Sequence, residues 1–224
     1  MEIIKTEQLV KTYADHGVPV HALRGINLSI ERGEFIAIAG PSGSGKTTLL
    51  NCIGALDRPT TGRVCVNEQD IDLLDNSERA RLRLHKMGFV FQAYNLIPVL
   101  TALENIEFKM MLLGKSEGER HELAMRSMKE LGIADLAHKK PQDMSGGQQQ
   151  RVAIARAIVN EPPIVLADEP TANLDTENAL ILIDLMREMG RTKNVTFVFS
   201  THDPRVLERV QRIIFLRDGN IADP

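Results

Sequence analysis

Eight consecutive residues, Gly40-Pro41-Ser42-Gly43-Ser44-Gly45-Lys46-Thr47, follow the spacing G-x-x-x-x-G-K-S/T. That combination suits one kind of chemistry. Glycines let the backbone curl until successive N–H groups point inward at phosphate oxygens, and a helix starting where the loop ends adds the partial positive charge of its N-terminus. Lys46 would reach the β- and γ-phosphates of a nucleotide, and the Thr47 hydroxyl would ligate Mg²⁺. The flanks agree, because the apolar run Glu34–Ala39 reads as a strand and Thr48-Leu49-Leu50 opens a helix.

Two further segments answer the needs of a bound nucleotide. Ile164-Val165-Leu166-Ala167 is a fully apolar strand, and the acids Asp168-Glu169 at its C-terminal edge would be costly to bury without a cation or hydrogen bonds. Asp168 is the expected Mg²⁺ partner, leaving Glu169 to polarise a water. Ser145-Gly146-Gly147-Gln148 precedes the helical run Gln149–Val159 and forms another glycine-rich helix start suited to an anion. No lysine or aspartate accompanies it, so it reads as a second clamp for the same γ-phosphate.

The elements that must position these residues are legible as short β-branched and aromatic runs: Glu34–Ala39, Arg63–Asn67, Gly88–Gln92, Ile164–Asp168, Val195–Ser200 and Arg212–Arg217. Several are apolar throughout, the pattern of a parallel sheet covered on both faces. The first thirty residues, with polar breaks at Asp15-His16-Gly17 and Glu31-Arg32-Gly33, predict a meander of short antiparallel strands. Between Gln92 and Asn160 helical periodicity takes over in Leu100–Leu113, Glu117–Leu131 and Gln148–Val159. Ser116 with Glu119 is a capping box, and Gly132 stands where that helix should end. Met110, Met111, Met125, Met128 and Met144 fall in or beside this insert and are expected to pack inside it.

Composition narrows the function. The 224 residues are 43% hydrophobic, enough for one sizeable core, and carry 27 Lys plus Arg against 30 Asp plus Glu. A net charge of -3 argues against a nucleic-acid partner, whose phosphates basic residues must neutralise. Cys52 and Cys65 lack metal-ligand spacing and read as small buried hydrophobes. The N-terminus resembles no signal peptide and no apolar run is long enough to span a bilayer, so a cytoplasmic chain is expected.

With Gln92, Met144–Arg151, Ala172–Asp175 and Ser200–Asp203 added in order, the chain resembles the nucleotide-binding subunits of ATP-binding cassette (ABC) transporters along essentially its whole length. The resemblance implies that Tyr13 stacks on adenine and that Gly40, Ser42, Gly43, Ser44, Gly45, Lys46, Thr47 and Thr48 hold the phosphates of ATP. It implies Thr47, Gln92 and Asp168 as Mg²⁺ ligands, Gln92 as sensor of the membrane subunit, and His202 beside Glu169 and Lys46 in catalysis. Ser145, Gly146, Gly147, Gln148 and Asp175 of one subunit would complete the site of another, giving a head-to-tail homodimer around two ATPs. Met144 stands where leucine is usual and Ala172 where serine is frequent; neither removes a catalytic group.

The implied fold class is α/β, a RecA-like core with an antiparallel N-terminal sheet and an inserted helical subdomain. Its boundaries would be a nucleotide-binding lobe at 1–92 and 160–224 and a helical lobe at 93–159. Gly88–Gln92, Asn95–Pro98, Leu100–Asn105 and Leu166–Asp175 are similar to the lipoprotein-releasing (LolD) and macrolide-exporter (MacB) branch, implying a Mg²⁺-dependent ATPase that powers permease subunits on other chains from the cytoplasmic face of the membrane. Two other readings are a purely mechanical, FtsE-like ATPase and a cassette acting on DNA or ribosomes. The apolar segment Tyr94–Leu100, directly after Gln92, is expected to form the partner's docking groove, with Leu96 and Ile97 exposed in it.

Overall fold

The computed structural model describes residues 1–15 and 18–222, so His16 and Gly17 of the expected first break lie outside the described residues. β1 (Glu2–Asp15) and β2 (Val18–Glu31) are not short strands but one long antiparallel ribbon, paired from Glu2↔Glu31 to Asp15↔Val18. The polar Glu7-Gln8 pair, which would have ended a regular strand, is absorbed by a bulge: Gln8 takes a left-handed φ of 47° and its N–H donates to Asn27 Oδ1. β4 (Thr61–Val66) adds to the other edge of β1, and β5 (Gln69–Asp70) closes a sheet of order β2-β1-β4-β5.

β3 (Phe35–Ala39), β6 (Met87–Val90), β7 (Ile164–Asp168), β8 (Thr196–Thr201), β9 (Arg212–Arg217) and β10 (Asn220–Ala222) form the second sheet, in order β10-β9-β3-β8-β7-β6. Every neighbour pair is parallel except β10 with β9. Register aligns the ends that matter. Asp168 stands opposite Ser200, and Ala39 opposite Thr201, so the phosphate loop and the acidic pair leave the same edge. Ligands of open α/β sheets gather at that carboxyl edge.

The sheet is a wall between two cores because its apolar residues alternate sides. Phe35, Phe197 and Phe199 face one core, with ring centroids 5.6 and 5.1 Å from Phe35, and join the buried faces of α3 (Ala102–Leu112), α4 (Glu117–Glu130), α5 (Gly146–Ile158) and α6 (Thr176–Lys193). Ile36, Ile38 and Val198 face the other, with α1 (Lys46–Ile53), α2 (Asn76–Lys86) and the N-terminal sheet. Each such side chain contributes roughly 1.5–3 kcal/mol when fully buried. α7 (Pro204–Leu207) follows β8.

No strand interrupts residues 91–163. Thr101, Ser116 and Ser145 each N-cap a helix with a reciprocal capping box, through Glu104, Glu119 and Gln148. The first expected helix therefore starts at Ala102, after its cap, and the third at Gly146. Gly132 takes φ +66° just past the end of α4. Met110, Met128 and Met144 are buried and Met125 packs beside them, but Met111, about 100° further round α3 than Met110, is 47% exposed. β6 stops at Val90 and not at Gln92: Tyr94 and Asn95 both adopt left-handed φ, 60° and 49°, turning the chain out of the sheet. Both cysteines are free, Cys52 buried and Cys65 half-buried.

Candidate active site

The phosphate loop is shaped by what glycine alone permits. Gly40 has φ +153° and Gly45 φ +105°; a Cβ would lie 2.1 Å from the Leu216 carbonyl oxygen at the first and 2.5 Å from that of Ala22 at the second. α1 begins at Lys46 with Gly45 as N-cap and no side-chain cap, so its first N–H groups remain open to a ligand. Lys46 Nζ folds back to donate to the carbonyls of Gly40 (2.8 Å) and Pro41 (3.0 Å). Ser44 is buried, and its Oγ has no hydrogen-bond partner. Curled N–H donors, a lysine hydrogen-bonded only to loop carbonyls and an orphaned hydroxyl in one loop fit the oxygens of a polyphosphate.

At the neighbouring strand ends a hydroxyl network fixes the two acids. Thr47 Oγ1 donates to the Asp168 carboxylate, 2.9 Å from Oδ2, and the fully buried Ser200 Oγ donates to Asp168 Oδ1 at 2.6 Å. Ser200 Oγ also accepts the Glu169 N–H at 2.9 Å. Glu169 itself has φ 46°, a left-handed conformation that glutamate rarely adopts and that costs of order 1 kcal/mol or more. The turn aims its carboxylate back over the loop, where Oε1 accepts from His202 Nδ1 at 2.9 Å and lies 4.0 Å from Lys46 Nζ.

These side chains share one cavity of about 580 Å³, walled by Pro41, Ser42, Gly43, Gly45, Lys46, Thr47, Thr48, Gln92, Glu169 and His202. Val20, His21 and Ala22 of β2 form its remaining wall. Gln92 is exposed in the connection after β6, and its backbone carbonyl accepts from Asn173 Nδ2 at 3.0 Å. Tyr13 sits behind the β2 wall, paired with Val20. Its hydroxyl donates to Asp57 Oδ2 at 2.7 Å, and Lys11 Nζ stands 4.7 Å from the ring centroid. Burial, and then the bond to Asp57, push the Tyr13 hydroxyl up to about 12. For Asp57 burial pulls upward, but the bonds from Lys11 and Tyr13 outweigh it and hold the carboxyl below its usual range.

Ser145, Gly146, Gly147, Gln148 and Asp175 are elsewhere. They line a second cavity, of about 390 Å³, with Arg151, Asn173, Leu174 and Asn178, and the two cavities have no lining residue in common. Asp175 caps α6, accepting from the Asn178 N–H and Nδ2, and those bonds hold its carboxyl low.

Among the described residues no three His, Cys, Asp or Glu side chains converge as a metal cage. Thr47 and Asp168 nevertheless offer converging hard oxygens, the donor set that holds Mg²⁺ when nucleotide phosphates supply the other ligands. Sequence reasoning did not single out Ser200 as the link between the acids; a serine closing an apolar strand in register with Asp168 was the available signal. The β2 wall depends on hairpin pairing and Asp57, between α1 and β4, on contacts with Lys11 and Tyr13 of β1; neither gave one.

The expected partner groove is only partly where the sequence put it. Leu96 packs against the core of α3–α5 and Ile97 is half-buried, because Asn105 clamps the segment: it accepts from the Ile97 N–H and donates to the carbonyls of Ile97, Leu100 and Thr101. Arg156 donates to the carbonyls of Tyr94 and Asn95. An open apolar groove lies alongside, walled by Leu56, Phe89, Phe91, Phe108 and Leu112, with Asn95 alone from Tyr94–Leu100 on its lining.

A parallel sheet with a phosphate loop at one strand end and an acidic pair at another defines a P-loop nucleoside triphosphatase. Residues 23–172 match the family model described as ABC transporter. The chain is 44% identical over 98% of its length to the ABC transporter ATP-binding protein MJ0796 of Methanocaldococcus jannaschii, covering 95% of it. It is 42% identical over 98% to the lipoprotein-releasing system ATP-binding protein LolD of Legionella pneumophila, covering 96%. It is 43% identical over 98% to the macrolide export ATP-binding/permease protein MacB of Hyphomonas neptunium, covering 34% of that longer protein. The solved dimer of MJ0796 superposes with a TM-score of 0.93 at 44% identity, over 98% of this chain and 97% of that one. A post-hydrolysis dimer of the same cassette, bound to ADP and Pi, also gives 0.93. The chain belongs to the ABC transporter family, as its ATP-binding, ATP-hydrolysing cassette. No helix among the described residues is long and apolar enough to cross a membrane.

Proposed function

We propose that two copies of this chain close head-to-tail on two Mg²⁺-ATP molecules and so drive a permease on other chains, performing lipoprotein release or export-type mechanical work from the cytoplasmic face of the membrane. The observation that carries the dimer is the separation of the two cavities, which leaves the Ser145 helix start of one copy free to meet the phosphate loop of another. The dimeric solved structure of a 44% identical cassette supports a dimer. In this reading 93–159 is a helical lobe on a nucleotide-binding core of 1–92 and 160–224, and the LolD and MacB relatives support the kind of work performed.

Within the site, Lys46 and the loop N–H groups bind the β- and γ-phosphates, and Tyr13 supports the adenine from behind Val20. Mg²⁺, held by Thr47, Gln92 and Asp168, would neutralise charge on the β- and γ-oxygens. Glu169 takes the proton from the water aligned with the γ-phosphorus, while His202, hydrogen-bonded to that carboxylate, contacts the γ-phosphate. Ser145, Gly146, Gly147 and Gln148 of the second copy add helix N–H groups where negative charge develops, and Asp175 holds the adjoining turn. The open groove beside Gln92 takes the permease, with Phe89, Phe108 and Leu112 as the apolar contact.

Mixing a Ser145→Arg chain with a Lys46→Ala chain tests the composite site, since each defect lies in a different half of each site. The heterodimer should regain one intact site and hydrolyse ATP above the sum of the separate variants, and only above the dimerisation concentration. Activity equal to that sum would point to sites completed within one chain.

A further inference from the structure

The groove that the preceding reading gives to the permease contains more than apolar surface. Its walls carry three basic side chains, Arg83 of α2, Lys109 of α3 and Arg156 of α5, and no acidic one. Among the described residues none of the three has a carboxylate partner; all bond to backbone carbonyls. Lys109 Nζ donates to Met87 O at 2.9 Å and Ala157 O at 3.4 Å, Arg83 to Ala55 O, and Arg156 to Tyr94 O and Asn95 O. Glu107, two residues before Lys109, turns instead to α4, where it lies 3.2 Å from His121 and 3.7 Å from Arg120. Isolated cations in an apolar setting are costly to bury, and a partner carboxylate is the usual compensation. Burial, and then the nearby Arg156 charge, push Lys109 down to about 7.

Resting on that reading, we infer that the segment docking in this groove carries an aspartate or glutamate among apolar residues, and that this carboxylate pairs with Lys109 and Arg156. Phe108 and Leu112, both exposed, lie one residue before and three after Lys109 on α3 and flank the point where the carboxylate enters. The occupant is a short amphipathic helix of the permease: apolar on the face that meets Phe89, Phe108 and Leu112, with one acid at its centre. Two of the three Lys109 N–H groups are used, leaving one for the incoming oxygen, and Arg156 spends only part of its five-donor fork on the Tyr94 and Asn95 carbonyls.

The probe is a fluorescent amphipathic peptide with Leu and Phe on one face and a single central Glu, compared with its Gln twin on the full chain by anisotropy. The Glu peptide should bind about tenfold tighter, the scale of one charge-assisted hydrogen bond. In Lys109→Met, which keeps length and loses charge, that preference should collapse while the Gln peptide binds as before. In Lys109→Arg it should survive.

The pH dependence carries a sign. The other ionisable groups on the groove wall are Arg156 of α5, which acts on Lys109, and Arg83 of α2, so Lys109 sets the profile. Docking a carboxylate raises its pKa and takes up a proton. The Glu preference should therefore be level below roughly pH 7 and fall as pH rises above it, and stay level through that range in Lys109→Arg. Equal binding of the two peptides, with both weakened by Phe108→Ala, would overturn the carboxylate pairing and leave the groove as the docking site. Binding of neither peptide would overturn the groove reading and the pairing together.

Discussion

Two helices of this cassette begin in glycine-rich turns, and they begin in opposite ways. α1 starts from Gly45, in a left-handed conformation and without a side-chain cap. α5 starts from Ser145, whose hydroxyl accepts the Gln148 N–H while Gln148 Oε1 accepts the Ser145 N–H. The first start leaves its donors open and places a lysine and a threonine directly after them. The second satisfies two of its own donors and has neither residue. Glycine content alone therefore does not make a phosphate site; what decides is whether the first turn is internally satisfied. α1 presents open donors to a polyphosphate, whereas α5 satisfies its own first turn, which fits the clamp proposed for the closed dimer.

Removing the chemistry should give the largest effect. Glu169→Gln keeps the shape of the side chain and loses the basic oxygen, so kcat should fall by roughly 10²- to 10⁴-fold with nucleotide affinity retained. ATP-bound dimer should then accumulate on size-exclusion; near-normal turnover would remove Glu169 from the role. Next in size, Gly45→Ala combines a left-handed φ with a Cβ 2.5 Å from the Ala22 carbonyl, and should cost about 2–4 kcal/mol in thermal or denaturant unfolding and abolish nucleotide binding. Lys46→Ala removes the only side-chain cation bonded within the loop, and calorimetry should show about 10- to 100-fold weaker ATP binding, the scale of a hydrogen bond to a charged group. The same glycine change at the other helix start sharpens the contrast. A Cβ on Gly147 meets only the Leu174 side chain, at 3.4 Å, so Gly147→Ala should shift stability by less than about 1 kcal/mol and leave the monomer's ATP affinity unaltered. A Gly147 variant as damaged as the Gly45 one would end the distinction.

The same contrast explains what could be read from the sequence. Parallel strands such as Phe35–Ala39 and Ile164–Asp168 were legible because both faces are buried and the apolar run is unbroken. The phosphate loop was legible because its steric demands fall on particular residue types at fixed spacing. The long N-terminal ribbon was not, since the Gln8 bulge hides a continuous strand behind polar residues. Gln92 was placed two residues too deep in β6 because left-handed Tyr94 and Asn95 carry no warning in their composition. Leu96 reads as a surface hydrophobe until Asn105, nine residues on, is seen to hold its segment. What failed in each case was information about pairing across the chain, which spacing along it does not contain.

The left-handed turn at Glu169 has an evolutionary consequence. The residue proposed as the base is one its backbone tolerates poorly, so in that role mutational drift at this position would run downhill in conformational energy and uphill in function. Glycine would relax the turn: of two variants equally lacking the carboxylate, Glu169→Gly should unfold at higher temperature than Glu169→Ala, by the equivalent of about 1 kcal/mol. Selection for stability alone would thus empty the site. In the proposed role, a glutamate held at φ 46° gives up foldedness in favour of turnover.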